Sequence, residues 1–342
     1  MYFVQKKFRS DTTIMENSIE SITALAESAK FTLNQRAFTL REGETYRNFT
    51  EQVFWSVGEL LRMNFKGADV EAKARIKTPQ SIKKKVQKQA VNFVKQQLQS
   101  EKLLDINDFT LYDVYGAKVV VLNISDDFYS SEISIDGFLE KRKKCRQKLI
   151  QAQEEANKFP ADDKLQEIAR LNHVIYSELD TMCQRYVAAS MCRFIMNSKD
   201  LKTKFGIFTI PERFRNYNMS NEYIAQHITL GSTLLPGWFC EFQFKSCIDY
   251  EIARTGPAAH FFRSGKQIVI PNSLDDISED EVPSYMVYTP EGLYIPSITE
   301  CKFHYLLPAF TQANPQNKQA PEKLLKLLSE FPENDNGFLK KF

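Results

Sequence analysis

Hydrophobic positions divide the chain into helical and strand-like stretches. Over residues 12–65 apolar side chains recur at spacings near 3.6, as at Ile19, Ile22 and Val53, which predicts helices. After Pro79 the pattern predicts a strongly basic helix. The following run, LYDVYGAKVVVL, mixes β-branched and aromatic residues and ends in four consecutive apolar ones. This pattern is expected of a buried strand.

The middle of the chain is predicted to contain a helical hairpin. Residues 138–196 read as helical, and Phe159-Pro160 interrupts the pattern. Strand character returns at residues 227–230 and 238–245, on either side of a turn, and residues 248–259 read as a helix. The second helix of the hairpin has one apolar stripe, formed by Leu165, Ile168, Leu171, Ile175, Leu179, Met182 and Tyr186.

A change of composition near Ile268 divides the chain. Beyond it the sequence is Pro-rich and acidic, with a short sheet predicted around residues 286–295 and a helix at 321–331. We therefore expect a helical N-terminal segment (1–70), a central domain (71–267) with a helical insertion at about 138–196, and a C-terminal appendage of unknown role (268–342).

Composition places the chain among globular proteins. Its 342 residues, 43% of them hydrophobic, are enough for one substantial core. Apolar runs fall far short of a membrane span, and the N-terminus does not resemble an export signal. The six cysteines form no CxxC pair and no disulfide-dense spacing, which suits a reducing cytosol. We expect a cytoplasmic protein without a membrane partner.

The net charge of +2 conceals two basic concentrations. Residues 71–88 contain seven basic residues and one acidic residue, and residues 141–148 contain six basic residues of eight. Such runs suit phosphate or nucleic-acid partners, although a solvated helix face explains either run taken alone.

Candidate chemistry begins at the first basic run. Arg75, Lys77, Ser81 and Lys85 lie at offsets zero, two, six and ten, where an extended segment enters a helix. Cations and a hydroxyl at a helix entrance are suited to binding a polyphosphate. Taken alone, an exposed basic helix is the commoner explanation.

Two further elements supply carboxylates. Asp113 comes just before the VVVL strand, where it is either a Mg²⁺ ligand or a turn residue before Gly116. Glu241 and Gln243 fall on one face of the later strand because the side-chain period is two, and Lys245 shares that face. An ordinary amphipathic strand would have the same pattern.

The order of these motifs resembles the synthetase domain of the RelA/SpoT alarmone enzymes. The 75–85 pattern is followed by DxxGxK from Asp113, IPERFRNY from residue 210, NEYxxxH from residue 221, ExQxK from Glu241 and AxxGxAAH ending at His260. The resemblance covers residues 74–266, apart from the helical insertion. Its multi-motif order is far more specific than any single motif.

The resemblance implies a fold and an activity. The fold would be α+β, a mixed five-stranded sheet flanked by helices as in nucleotidyltransferase-like synthetases. The activity would be Mg²⁺-dependent transfer of pyrophosphate from ATP to a ribose 3′-hydroxyl, with GDP or GTP as acceptor. None of the four histidines precedes Asp, so the His-Asp hydrolase domain of bifunctional members is not expected.

The resemblance also implies roles for individual residues. Asp113 and Glu241 would hold Mg²⁺, and Glu241 would also activate the acceptor hydroxyl. Gln243 would be a third catalytic residue and would help to position the acceptor. ATP would be bound by Arg75, Lys77, Ser81 and Lys85. The acceptor would be bound by Tyr223, His227, Arg213, Arg215 and His260.

Three departures leave alternatives open. Lys118 stands where the family has Arg, Glu222 where Gly is usual, and Arg254 where Glu is usual. The acceptor half therefore matches more loosely than the ATP half. One alternative is a toxic synthetase that modifies the 3′ end of tRNA, for which residues 141–148 would supply backbone contacts. A second is an inactive nucleotide-sensing module, and self-association is also left open.

Overall fold

The computed structural model describes residues 12–100, 103–218, 224–255, 271–289 and 291–311. Two helices, α1 (Thr12–Glu42) and α2 (Glu44–Asn64), lead into strand β1 (Phe65–Ile76), and α3 (Pro79–Gln99) follows. The helix α3 begins where expected because the Thr78 hydroxyl accepts a hydrogen bond from the Ser81 N–H at 3.1 Å, with Pro79 in the first turn.

The predicted strand and helical hairpin are both present. Strand β2 (Tyr115–Ser130) is followed by the antiparallel helices α4 (Asp136–Lys158) and α5 (Asp163–Asn197). The Asp162 carboxylate caps α5 by accepting hydrogen bonds from the N–H groups of Lys164 and Leu165 at 2.9 and 3.2 Å. Only the second half of α5, from Cys183 onward, is buried in the core.

The remaining elements complete the sheet and cover it. In chain order they are α6 (Lys199–Phe205), β3 (Ile207–Thr209), β4 (Arg215–Asn218), β5 (Ile224–Ser232), β6 (Phe239–Ser246), α7 (Cys247–Thr255), β7 (Ser284–Thr289), β8 (Gly292–Tyr294) and α8 (Ile298–Thr311). The helix predicted at 321–331 lies outside the described residues.

The fold is α+β, as expected, with one mixed sheet in the order β3-β5-β6-β2-β1-β7-β8. Strands β2 and β6 are parallel, the other pairs are antiparallel, and β4 also pairs with β5. The expected number of five strands is wrong, because the described residues form eight. The short β3 and β4 pair with β5, and the C-terminal hairpin of β7 and β8 extends the sheet beside β1. The segment after residue 268 thus contributes to the central sheet.

The two faces of the sheet differ in polarity. Val119, Phe242 and Ile228 are fully buried on one face, in a single core with residues of α2 and α5. The opposite face carries the charged side chains of β1, β2 and β6. Among the described residues, no helix has the length and apolar character needed to cross a membrane.

Candidate functional site

Strand register gathers the polar residues into rows on one face of the sheet. Arg75 of β1 lies opposite Gly116 of β2, which lies opposite Glu241 of β6. Two residues along each strand, the next row contains Lys73, Lys118, Gln243 and His227. Side chains two residues apart share a face, so both rows point to the same side.

All the residues of these rows except His227 line one cavity. Its polar lining includes Lys73, Arg75, Lys77, Asp113, Lys118, Glu241, Gln243, Tyr250, Tyr285 and His304. Four of these residues are Lys or Arg and two are carboxylates, so the lining favours an anionic ligand.

Asp113 occupies the centre of the cationic end of this site. Both lysines of the first basic run, Lys77 and Lys85, form ion pairs with its carboxylate. Lys77 immediately follows β1, and its N–H donates to the Val114 carbonyl at 2.9 Å, which fixes the end of β1 beside the loop that carries Asp113. Lys85 reaches the same carboxylate from the second turn of α3.

Burial weakens the positive charge of these two lysines. Burial and then the charge of Arg75 lower the pKa of Lys77 to about 8. Burial and then the charge of Lys77 lower the pKa of Lys85 to about 7. The charge of Glu241 opposes both shifts, since a nearby anion favours the ammonium. A polyphosphate bound here would do the same.

The second carboxylate belongs to a separate hydrogen-bonded group. The Gln243 amide Nε2 donates to Glu241 Oε1 at 3.0 Å, and His227 Nδ1 lies 3.6 Å from the same oxygen. Burial lowers the pKa of His227 to about 4, although the Glu241 charge opposes the shift. The imidazole is therefore neutral at physiological pH, and Glu241 keeps its acceptor capacity.

Several predicted residues are not among those that line this cavity. Ser81 is exposed and is not part of its lining. Arg213 stacks on the Tyr112 ring, 4.4 Å from its centroid, and Arg215 donates to backbone carbonyls near its own position. Tyr223, His260 and Glu222 lie outside the described residues.

The structure adds lining residues that the motifs did not include. Lys73 precedes Arg75 by two residues, so strand alternation alone would have placed it on the same face. Tyr285 lies opposite Arg75 on β7, and its ring centroid is 4.7 Å from that of His304. Both come from the C-terminal segment, and no short-range pattern predicts their approach.

A Mg²⁺ ion fits this donor set only in part. In the described ranges no three or more His, Cys, Asp or Glu residues form a group that could hold a metal. Mg²⁺ in phosphate-transfer sites commonly binds one or two carboxylates and the substrate phosphates. Asp113 and Glu241 of this cavity can supply the carboxylates. The fit thus depends on a phosphate ligand that frees Asp113 from its lysines.

No protein-family model, no curated protein and no solved structure matches the chain. The function therefore has to be inferred from the chemistry of this cavity and from the order of the motifs that line it.

Proposed function

We propose that the chain is an ATP-dependent pyrophosphokinase that transfers pyrophosphate to the 3′-hydroxyl of GDP or GTP and produces (p)ppGpp. The observation that carries the proposal is the single cavity lined by Arg75, Lys77, Asp113 and Glu241, with Lys85 ion-paired to Asp113. These residues come from three separate motifs of the resemblance, yet they lie around one space.

The cationic end suits the donor. Phosphoryl-type transfer depends mainly on positioning and on neutralising charge, so clustered cations are more useful than a covalent nucleophile. Lys77 and Lys85 then exchange the Asp113 carboxylate for the phosphates of ATP. Arg75 binds the same phosphates beside these two lysines. Mg²⁺, held by Asp113 and Glu241, would supply additional neutralisation of the phosphate oxygens.

The Glu241 end suits the acceptor. In the proposed step the ribose 3′-oxygen attacks the β-phosphorus of ATP while the bond from that phosphorus to the α,β-bridging oxygen breaks. AMP leaves, and the proton of the 3′-hydroxyl passes to Glu241. The hydrogen bond from Gln243 orients the Glu241 carboxylate, and neutral His227 lies beside it.

A tRNA acceptor is the second candidate, and the surface of α4 favours it. Lys141, Lys143 and Lys148 are exposed there, which suits a phosphate backbone. Arg142 does not belong to this surface, because it is buried and forms ion pairs with Asp126 and Asp180. Charge reversal at Lys141, Lys143 and Lys148 tests this candidate without breaking those ion pairs.

The test is incubation with γ-³²P-ATP, Mg²⁺ and GDP, GTP or tRNA, followed by separation of the products. Labelled ppGpp or pppGpp supports the proposal. Label on tRNA alone assigns the second candidate, and charge reversal on α4 should then reduce transfer and flatten its salt dependence. ATP binding without any transfer would indicate a nucleotide-sensing module.

A further inference from the structure

We propose that Tyr250 is a positioning residue for Lys118, and that an ion pair between the partly exposed Arg185 of α5 and the buried Asp249 of α7 fixes Tyr250 in place. This inference rests on the proposed function for its biological meaning, since it assigns Lys118 to the phosphate-binding cations. It can be tested by anion binding alone.

A neighbouring lysine repels the Lys118 ammonium. It lies directly opposite Lys73 on the neighbouring strand, and like charges in cross-strand pairs repel each other. Lys73 forms an ion pair with Glu71 at 2.8 Å. Because the lysine side chain is flexible, the position of its ammonium depends on the groups around it.

The Tyr250 ring provides such a surrounding for Lys118. The Lys118 ammonium lies 5.4 Å from the ring centroid, within the range of a cation–π interaction. Tyr250 is only 8% exposed, and burial strengthens this type of contact. Both residues line the cavity that contains Arg75 and Asp113.

The first turn of α7, which carries Tyr250, is fixed by the preceding residue. The Arg185 guanidinium of α5 donates to both oxygens of Asp249, at 2.7 and 2.9 Å. The Ser246 hydroxyl donates to the same carboxylate at 2.6 Å, and Asp249 is 1% exposed. These hydrogen bonds hold the Asp249 carboxylate in place, and with it the turn of α7 that carries Tyr250.

The ion pair between Arg185 and Asp249 also links the inserted hairpin to the cavity. In addition to Arg185, the Gln184 side chain of α5 accepts a hydrogen bond from the Cys247 N–H at 3.0 Å. The insertion therefore supports the wall of the site through α7. This gives residues of α5 a role in ligand binding although they do not line the cavity.

A double-mutant cycle tests the proposal, with magnesium-free tripolyphosphate as the probe and calorimetric affinity as the readout. Tyr250→Leu should weaken binding by about 3- to 30-fold, the range expected for loss of a cation–π contact, and Tyr250→Phe should stay within about twofold of wild type. In a Lys118→Met background, Tyr250→Leu should have no further effect. Arg185→Lys should behave like Tyr250→Leu in both backgrounds, and it supplies the same test if Tyr250→Leu does not fold.

An equal loss in both backgrounds would mean that Tyr250 only supports packing, and this would overturn the proposal. Unchanged binding in Tyr250→Leu would overturn it as well. Because the cycle uses binding alone, its outcome is separate from that of the labelled-ATP assay. Coupled binding without transfer would leave the positioning role intact and remove the proposed function.

Discussion

Replacing Asp113 by Asn should strengthen the binding of a magnesium-free polyphosphate and abolish transfer from Mg-ATP. In the free protein the carboxylate holds the ammonium groups of Lys77 and Lys85, so a metal-free polyphosphate has to compete with it. Removing the negative charge ends that competition. The same carboxylate is the proposed Mg²⁺ ligand, so transfer from Mg-ATP should be lost.

The structure allows the size of this effect to be estimated. The three side chains are 22 to 25% exposed, so solvent screens their ion pairs only in part. A hydrogen bond to a charged group is worth about 1.5 to 3 kcal/mol. Release of one lysine at the lower limit corresponds to roughly tenfold tighter binding of magnesium-free tripolyphosphate.

Calorimetry with magnesium-free tripolyphosphate and the labelled-ATP assay measure the two effects. Asp108→Asn is the matched control, because Asp108 is exposed on the loop before β2 and the substitution removes the same charge. It should leave both readouts within about twofold of wild type. If Asp113→Asn keeps its thermal midpoint but binds tripolyphosphate more weakly, the proposed competition between Asp113 and phosphate is wrong.

Other changes should affect single steps. Glu241→Gln should reduce the transfer rate by about 10²- to 10⁴-fold, because it removes the proposed base, which is also a proposed Mg²⁺ ligand. A rate near wild type in the labelled-ATP assay would exclude Glu241 as the base. Tripolyphosphate affinity should fall as pH rises from 6.5 to 8.5, because Lys85, with its pKa lowered to about 7, loses its proton in the free protein. Lys85→Arg should flatten this pH dependence, and an equally steep dependence would show that Lys85 is not the titrating group. Trp238→Phe should lower the free energy of unfolding by about 1 to 3 kcal/mol, since it removes the 2.8 Å hydrogen bond from Trp238 Nε1 to the buried Thr50 hydroxyl. Urea denaturation measures this free energy, and an unchanged midpoint and slope would contradict the prediction.

Local patterns predicted most of the secondary structure. The helix after Pro79 follows from Thr78 and Pro79 at its start, and the hairpin follows from the break at Phe159-Pro160. Alternation along β6 correctly predicted that Glu241 and Gln243 share a face opposite buried Phe242. These predictions depend on a few neighbouring residues, so sequence alone was sufficient.

The missed features depend on contacts between distant segments. The pairing of β7 with β1 places Tyr285 beside Arg75, although they are more than 200 residues apart in the chain. The sequence did not predict the ion pairs of Asp113 for a similar reason. The two motifs were considered separately, but in the folded chain the lysines of one motif pair with the carboxylate of the other. Arg142 shows the same limit, since only the folded hairpin reveals that one residue of a basic run is buried.

The most direct test of the proposed function is the labelled product formed from γ-³²P-ATP and GDP by purified protein with Mg²⁺. We expect a product that carries label in a 3′-pyrophosphate, formed together with an equal amount of AMP, and no such product from Glu241→Gln. Release of labelled inorganic phosphate and ADP, with no label transferred to any nucleotide or tRNA, would contradict the assignment of this cavity as a pyrophosphokinase site.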